Sequence, residues 1–391
     1  MTVTTSTDTH RPPHQAGSVS PMTSVETLAF TVTPNPAPVP DERRAEIVAK
    51  PGFGKFFTDH MVAITWTAGT GWHSAQVRPY GPISMDPATA VLHYAQSIFE
   101  GLKAYHQPDG SVRTFRPEQN AARFQRSARR MALPELPADV FVEAIDRLVR
   151  IDRGWIPSAA EHSLYIRPLM FASEVFLGVK PAAEVTFVVI ASPAGAYFPQ
   201  GLKPVSIWVS EEYTRAALGG TGAAKCAGNY AASLIAQSEA IAHGCEQVVF
   251  LDAVERRWIE ELGGMNLYFV HEDGRIVTPE LTGSILEGVT RDSIMTIAAD
   301  LGHKVSEERV SLDDWRAGVA SAAITEIFAC GTAAVVTPVG RLRWRDGRDG
   351  SAEQAIGSGE PGPVTVAIRK ALLDVQHGLA PDVHGWLHEV C

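Results

Sequence analysis

The stretch "GGTGAAKCAGNYAAS" (residues 219–233) combines glycines with one lysine and one tyrosine. A nucleotide-binding loop of the form G-x-x-x-x-G-K-[ST] needs a glycine before the lysine and a hydroxyl after it. Ala224 and Cys226 stand at those two positions, so this loop type is disfavoured. These residues alone leave two interpretations, a flexible loop with a solvated Lys225 or a lysine that binds an aldehyde cofactor covalently.

The composition limits the partners of this 391-residue chain. A formal net charge of −10 argues against a sequence-independent grip on nucleic acid or on anionic lipid. No run approaches the roughly 20 apolar residues that span a bilayer, and the first residues do not form a secretory signal. We therefore expect no nucleic-acid partner, no membrane association and a cytoplasmic location.

The four cysteines, Cys226, Cys245, Cys330 and Cys391, are scattered along the chain. No CxxC pair and no other metal-ligand spacing occurs among them. Neither a disulfide framework nor a metal site is predicted.

The order of strand and helix patterns predicts a mixed α and β (α+β) fold with two domains. Prolines between residues 31 and 44 predict no regular element there. A basic helix is expected at 117–131, a second helix at 138–150, and hairpin turns at Asp109-Gly110 and at "EDGR" (residues 272–275). The predicted organisation is a disordered tail at 1–28, a small N-terminal α/β domain at 29–192, an interdomain loop at 193–201 and a large C-terminal domain at 202–391.

The rest of the chain offers the other groups that pyridoxal phosphate requires, namely an acid for the pyridine nitrogen and a cradle for the phosphate. Glu261 in "IEELGGMN" lies on a short strand at a glycine turn and could hold the ring nitrogen protonated. Glu260 is its rival, because neighbours on a strand face opposite ways, and a solvated carboxylate is the simpler interpretation of either.

Two Gly-Thr turns are candidates for the phosphate cradle. In "LEGVTRDSI" the backbone N–H groups of Gly288, Val289 and Thr290 would meet an anion at a helix start, although Thr290 could instead be a simple N-cap. "CGTAA" adds Thr332, and Arg123 on the basic helix could supply a full positive charge. We call Arg123, Val289, Thr290 and Thr332 the phosphate cup.

Seven blocks of the sequence closely resemble the branched-chain amino acid aminotransferases of pyridoxal-phosphate fold type IV, and they occur in that family's order. The resemblance covers residues from about 29 to the C-terminus. The blocks are "FEGLKAY", "FRPEQNAARF", "SLYIRPL", "GTGAAKCAGNYAASLIAQSEAIAHGCEQVVFLDAVE", "EELGGMNLYFV", "LTGSILEGVTRDSI" and "IFACGTAAVVTPVG".

This resemblance implies that Lys225 carries the cofactor and acts as the catalytic base, with residues 202–391 as the cofactor-binding domain and the active site between the domains. It implies that Tyr230 hydrogen-bonds the cofactor's phenolic oxygen, that Glu261 holds the pyridine nitrogen and that the phosphate cup binds the phosphate. It further implies a homodimer in which the N–H groups of Thr332 and Ala333 hold the substrate α-carboxylate and Tyr94 reaches over from the partner subunit.

The strand "SLYIRPL" bears on the side-chain pocket, because Tyr165 and Arg167 are two residues apart and share one face. Arg167 could pair with a distal carboxylate. Six further residues could line an apolar wall for the side chain of Leu, Ile or Val. Without the resemblance, the aromatic residues among them would more often be ordinary core residues. The six are Phe53, Phe99, Tyr165, Tyr197, Gly264 and Met265.

The sequence departs from the family pattern in two places. Glu287 stands where the family commonly has proline, which puts a negative charge beside the phosphate cup. Ala334 and Thr337 occupy the places of the redox cysteines of the animal members, so no thiol switch is expected.

These observations favour a transaminase that converts Leu, Ile and Val to 2-oxo acids with 2-oxoglutarate as acceptor. The alternatives are another fold type IV enzyme, a D-amino-acid transaminase or an aminodeoxychorismate lyase, and a nonenzymatic phosphate- or nucleotide-binding protein.

Overall fold

The computed structural model describes residues 28–195, 202–347 and 350–391. The predicted tail, apart from Leu28, and Tyr197 lie outside the described residues. The described residues form two nine-stranded sheets with helices packed against each.

The first sheet is built from the N-terminal half of the chain and has the order β1-β3-β2-β8-β7-β5-β6, with β4 paired to β7. Most neighbouring strands are antiparallel. Its strands are β1 (Phe30–Val32), β2 (His60–Thr67), β3 (Gly71–Pro79), β4 (Ser97–Phe99), β5 (Leu102–His106), β6 (Val112–Phe115), β7 (Ser163–Ala172) and β8 (Glu184–Ala194).

The second sheet has the order β11-β10-β9-β16-β15-β12-β13-β14, with β17 paired to β16. Its strands are β9 (Val205–Ser210), β10 (Gln247–Leu251), β11 (Ile259–Leu262), β12 (Asn266–His271), β13 (Ile276–Pro279), β14 (Val305–Glu308), β15 (Ile324–Gly331), β16 (Val335–Asp346) and β17 (Gly350–Ala355). The last strand, β18 (Leu387–Glu389), returns to the first sheet and pairs with β6.

Four helices pack with the first sheet and four with the second. They are α1 (Asp41–Ala49), α2 (Ala90–Tyr94), α3 (Pro117–Arg130), α4 (Ala138–Ile151), α5 (Ala227–Ala242), α6 (Val289–Asp300), α7 (Leu312–Ala320) and α8 (Pro363–Gln376).

The predicted helices at 117–131 and 138–150 are confirmed as α3 and α4. α3 begins with Pro117 in its first turn, where a missing N–H costs nothing, and it buries Phe124 and Ala128. The "EDGR" hairpin is confirmed as the antiparallel pair β12 and β13. The expectation of no regular element between residues 31 and 44 is wrong at both ends, because β1 contains Thr31 and Val32 and α1 starts right after Pro40.

The two sheets approach each other at β4. Ile98 forms a bridge with Cys226, and the Phe99 N–H donates to the Lys225 carbonyl at 3.0 Å. The division at 192–202 stays a prediction; β8 itself continues through Ala194, and β18 carries the end of the chain back to the first sheet.

Candidate active site

Lys225 lies where the two halves of the chain meet, two residues before α5. Its backbone N–H donates to the buried Ser127 hydroxyl on α3 at 2.9 Å, and its carbonyl accepts from Phe99. Both contacts come from the first half of the chain, although Lys225 itself belongs to the second. The lysine backbone is therefore fixed by the opposite half of the fold.

The Lys225 ammonium points toward aromatic side chains. Nζ donates to the Tyr230 hydroxyl at 2.8 Å and lies 5.0 Å from the centre of the Phe99 ring. Tyr230 is in the first turn of α5, and its ring contacts Phe99 at 4.9 Å between centroids. The structure thus brings together the predicted lysine and the tyrosine five residues after it.

The loop before Lys225 is held by side chains and is not free in solvent. Asn229 donates to the carbonyls of Thr221 and Ala224, both at 2.8 Å. A Cβ added at Gly222 would lie 2.1 Å from the Ser284 carbonyl oxygen, so this close backbone approach requires glycine. These contacts argue against the interpretation of a flexible loop, and Lys225 itself is partly exposed.

Glu260 and Glu261, the two candidates for the pyridine nitrogen, have different partners. Glu260 accepts a hydrogen bond from the Ser284 hydroxyl. Glu261 Oε1 accepts a hydrogen bond from the Leu286 N–H at 2.8 Å and forms an ion pair with Arg215 Nη2 at 2.5 Å. Burial raises the pKa of Glu261, while the positive charges of Arg215 and Lys225 act against that rise. Glu261 is the carboxylate on the side of Lys225.

Arg215 is a residue that sequence reasoning missed. It is 7% exposed, and its Nη2 also donates to the carbonyls of Gly222 and Ser284. One guanidinium therefore joins the glycine loop, the loop before α6 and Glu261. The only signal in the sequence was a single charged residue among small ones in "TRAALGG", which is too weak to assign a role.

The predicted phosphate-binding turn is the N-terminus of α6. Gly288 is the N-cap residue, with no side-chain cap hydrogen bond, and Val289 and Thr290 are the first two helical residues. The alternative in which Thr290 is the N-cap is therefore wrong. A Cβ at Gly288 would lie 2.2 Å from Asn266 Oδ1, so a larger residue does not fit there.

Three of the four phosphate-cup residues line one cavity of about 20 Å³, namely Val289, Thr290 and Thr332. The first N–H groups of α6 have no partners within the helix and lie at its positive end. The fourth residue, Arg123, is close by, because its Nη1 donates to the Glu287 carbonyl at 3.1 Å.

Arg123 is largely engaged by a residue that the sequence reasoning did not single out. Its Nε and Nη2 donate to the two oxygens of Glu100, each at 2.7 Å, and both side chains are buried. Burial alone would raise the pKa of Glu100, but the Arg123 guanidinium holds it below its ordinary value. A direct contact between Arg123 and a phosphate stays a prediction.

Glu287 does not place its charge in the phosphate cup. Its carboxylate pairs with Arg126 at 2.9 Å, and both side chains are about half exposed. Only its backbone carbonyl faces Arg123.

The predicted side-chain wall is assembled on the first sheet. Arg167 Nη2 donates to the Tyr165 hydroxyl at 2.9 Å, and the guanidinium lies 4.7 Å from the centre of the Phe99 ring. Phe53 meets Tyr165 edge-on at 5.0 Å between ring centres. Four of the aromatic and charged candidates therefore form one cluster beside Lys225.

Residues from the second half approach this cluster. A Cβ at Gly264 would lie 3.8 Å from the Tyr230 ring, and one at Gly331 would lie 3.3 Å from the Met265 side chain. Thr332 and Ala333 form the turn between β15 and β16, which we call the 331–333 turn. Gly264 therefore lies beside Tyr230, and Met265 lies beside the turn that contains Thr332 and Ala333. Contacts of Met265, Thr332 and Ala333 with a substrate stay predictions.

Tyr94 is not brought to the site of its own chain. Its hydroxyl donates to the Leu177 carbonyl at 2.6 Å, and the residue is 37% exposed. The nearby Leu92, Val175 and Leu177 are exposed apolar residues. Tyr197 lies outside the described residues.

The class of protein follows from a comparison with known families. Residues 97–342 match the family model described as "Amino-transferase class IV". The chain belongs to this family, and the predicted fold type is confirmed.

Relatives with a more specific description cover nearly the whole chain. A "Probable branched-chain-amino-acid aminotransferase" of Streptomyces coelicolor is 61% identical over 93% of this chain and 99% of its own length. The "Branched-chain-amino-acid aminotransferase" of Mycolicibacterium smegmatis is 55% identical over 92% of this chain and 98% of its own.

Solved structures agree with these relatives. The branched-chain amino acid aminotransferase of Escherichia coli superposes with a TM-score of 0.69 at 32% identity, over 84% of this chain and 99% of that one. A second branched-chain amino acid aminotransferase, solved with pyridoxamine 5'-phosphate, gives 0.68 at 32% identity, with the same coverage. The expected resemblance is confirmed. Separately, among the described residues no helix is both long and apolar enough to cross a membrane.

Proposed function

We propose that this protein catalyses pyridoxal-phosphate-dependent transamination of Leu, Ile and Val, with 2-oxoglutarate as acceptor. The observation that carries the proposal is the position of the Lys225 ammonium, which contacts Tyr230 and the Phe99 ring at the junction of the two sheets. The relatives with 55% and 61% identity carry the branched-chain description, which supports the substrate class.

The residues present fit pyridoxal phosphate. Lys225 supplies an amine within reach of a phenol, Glu261 supplies a carboxylate buried at 3% exposure, and the start of α6 supplies free N–H groups. A Cβ at Gly288 would lie 2.2 Å from Asn266 Oδ1, so a side chain at this helix start would require Asn266 to move. We assign Lys225, Tyr230, Glu261 and the phosphate cup to the cofactor.

When bound, the cofactor supplies an electron sink that stabilises negative charge at the substrate Cα. Lys225 Nζ would take the proton from the Cα of the amino acid and would then serve as the proton donor for the following step. Tyr230 orients this ammonium through its 2.8 Å hydrogen bond. Glu261, paired with Arg215, would hold a proton on the ring nitrogen and so keep the ring electron-poor.

The side-chain pocket has to accept both an aliphatic chain and the acidic chain of glutamate. Phe53, Phe99 and Tyr165 offer apolar surface, and Arg167 can move its charge toward a distal carboxylate. Arg167 Nε is buried, and its N–H has no hydrogen-bond acceptor among the described residues. This N–H is therefore available to that carboxylate. Gly264 and Met265 would close the pocket from the second half, with Tyr197 on the interdomain loop as a further candidate.

We also propose a homodimer in which Tyr94 completes the partner's site, because its hydroxyl is bonded to the Leu177 carbonyl and exposed apolar residues lie nearby. Sedimentation of the holoenzyme at the dimer mass, together with loss of activity in Tyr94→Ala, is expected. A fully active monomer would contradict this part of the proposal. A cytoplasmic location is expected as well, and cell fractionation checks it.

The purified protein is expected to be yellow and to bleach on addition of L-Leu. A panel of L-Leu, L-Ile, L-Val, D-Ala and L-aromatic amino acids with 2-oxoglutarate then tests the substrate class. Activity toward D-Ala alone would overturn the branched-chain assignment, and a protein that stays colourless with added cofactor would overturn the cofactor.

Lys225→Ala is expected to keep weak cofactor binding and to lose turnover by at least 10²–10⁴-fold, the usual contribution of a general base. Turnover and visible absorption of the variant are measured together. Retention of near-normal turnover would remove Lys225 from the mechanism.

A further inference from the structure

Glu260 borders a cavity that the mechanism above does not use. The cavity has a volume of about 250 Å³, and the described residues that line it include Glu260 but not Glu261. None of them also lines the smaller cavity beside the phosphate cup. A ligand in this cavity would therefore not occupy the place proposed for the cofactor.

The Glu260 carboxylate has one oxygen without a partner. Oε1 accepts from the Ser284 hydroxyl, whereas Oε2 is buried and has no hydrogen-bond partner among the described residues. The whole residue is 6% exposed. Burial raises the pKa of Glu260, and the Ser284 hydroxyl and the charge of Arg215 act against that rise. A buried carboxylate oxygen without a donor is costly, so a ligand that supplies a donor to Oε2 would be stabilised here.

The charge around this cavity is predominantly negative. Among the described residues that line it, one guanidinium, that of Arg309, faces the carboxylates of Asp252, Glu255, Glu260 and Glu280. Arg309 already lies 3.7 Å from Glu255, and the Asp252 oxygens accept from backbone N–H groups of their own turn. Glu260 is the one of the four with a buried, unused oxygen. A cation therefore fits the cavity better than an anion.

The rest of the wall is largely apolar. Ile285 is buried there, and Leu218 and Val254 line the cavity although they are 66% and 78% exposed. Exposed apolar side chains beside a cavity with a few polar groups are typical of ligand sites. Trp258 adds a buried Nε1 N–H that has no acceptor within the described part of the chain. The cavity therefore suits a ligand with an apolar body and a cationic donor.

We propose that this cavity is a second ligand site, which binds a small apolar amine in its protonated form. The ammonium N–H donates to Glu260 Oε2, and the apolar body packs against Leu218, Val254 and Ile285. Glu255 and Glu280, which are exposed, attract the cation as it approaches. Binding of the amine here does not depend on the reaction at Lys225.

The first experiment measures binding of N,N-dimethylbenzylamine to the holoenzyme by calorimetry at pH 7. A protonated tertiary amine has one N–H for the one unused oxygen, and it cannot condense with an aldehyde cofactor. The expected Kd is about 0.1–1 mM. Benzyltrimethylammonium, which keeps the charge but has no N–H, should bind about tenfold more weakly. Failure of the amine to bind, or equal affinity for the two probes, would overturn the proposal.

Two variants locate the bound amine. Glu260→Gln should raise its Kd about tenfold, because the hydrogen bond to a charged group is lost. Val254→Arg leaves every buried group in place and should raise the Kd about threefold, because it adds a positive charge at the cavity. Val383→Arg is the matched control, since Val383 is 77% exposed and does not line the cavity, and it should leave the Kd unchanged. An unchanged Kd in Glu260→Gln, or equal Kd values in the two arginine variants, would contradict the assigned site.

A competition experiment separates this cavity from the proposed active site. Saturating 4-methylvaleric acid, a branched carboxylate without an amino group, should leave the Kd of N,N-dimethylbenzylamine unchanged, because Glu260 lines a cavity that Glu261 and the phosphate cup do not share. Displacement of the amine by the acid would place both in one site and overturn the proposal. Failure of the proposed function would appear separately, as absent transaminase activity with the amine Kd intact.

Discussion

Glu100 and Glu261 are both buried glutamates paired with an arginine, yet their carboxylates are used differently. Both oxygens of Glu100 are occupied, one by Arg123 Nε and the other by Arg123 Nη2 and Asn120. In Glu261 a single oxygen, Oε1, receives both Arg215 and the Leu286 N–H. Within the described residues its Oε2 accepts no hydrogen bond.

The pKa directions follow from this difference. The closed pair holds the pKa of Glu100 below its ordinary value in spite of burial. In the open pair burial raises the pKa of Glu261, and Arg215 offsets only part of the rise. A buried carboxylate with an unused oxygen is costly unless a ligand completes it. Glu260 also has a buried oxygen, Oε2, without a partner among the described residues, but the charge of Lys225 acts on the pKa of Glu261. We therefore propose that Glu100 serves the scaffold and that Glu261 accepts the pyridine N–H.

The largest expected effect in this comparison is on catalysis, in Glu261→Gln. Loss of the carboxylate charge at the ring nitrogen should lower kcat about 10²–10³-fold, similar to the loss of other groups that stabilise developing charge. Cofactor binding should persist, with a shifted visible spectrum. Steady-state kinetics and absorption of the holoenzyme measure both.

Glu260→Gln is the matched control, because Glu260 is the adjacent residue on β11 and bonds Ser284 instead. Its kcat should stay within about threefold of the natural value. Equal losses of kcat in the two variants would contradict the assignment of Glu261 to the ring nitrogen.

The next largest effect is on stability, in Glu100→Gln. Removing one charge of a buried ion pair leaves the Arg123 charge uncompensated, so the free energy of unfolding should fall by about 3 kcal/mol. Urea unfolding of the holoenzyme measures this. Glu287→Gln is the control, because its pair with Arg126 is about half exposed and should contribute less than about 1 kcal/mol. Similar losses in both variants would contradict a special role for the closed pair.

The sequence predicted those parts of the site that depend on local geometry. Lys225 and Tyr230 fall within one turn of a helix start, and Tyr165 and Arg167 alternate on one strand face. The sequence around Gly288 likewise predicted the start of α6. Spacing along one element is enough to place such residues together.

The residues that the sequence did not predict have partners from other elements. Glu100 reaches Arg123 from 23 residues away, and Lys103 reaches Ala333 from 230 residues away. Arg215 joins two loops and a strand that pack together only in the folded chain. No periodicity encodes these contacts, because they depend on how the sheets pack. Buried charges outside a local pattern therefore had to be found in the structure.

The smallest expected effect is the pH dependence of stability, and it has opposite signs for the two glutamates. Glu100 has a lowered pKa in the folded state, so its stabilisation is present above 4.5 and is lost as pH falls through its folded pKa. Glu261 has a raised pKa, so the cost of its buried charge is full above its folded pKa and is relieved as pH falls toward 4.5. Relative to the natural protein, Glu261→Gln should thus lose stability between pH 7 and 4.5, and Glu100→Gln should gain it below 4.5. Urea midpoints at pH 7, 4.5 and 3.5 measure both windows, and shifts of the same sign would erase the distinction between a closed and an open pair.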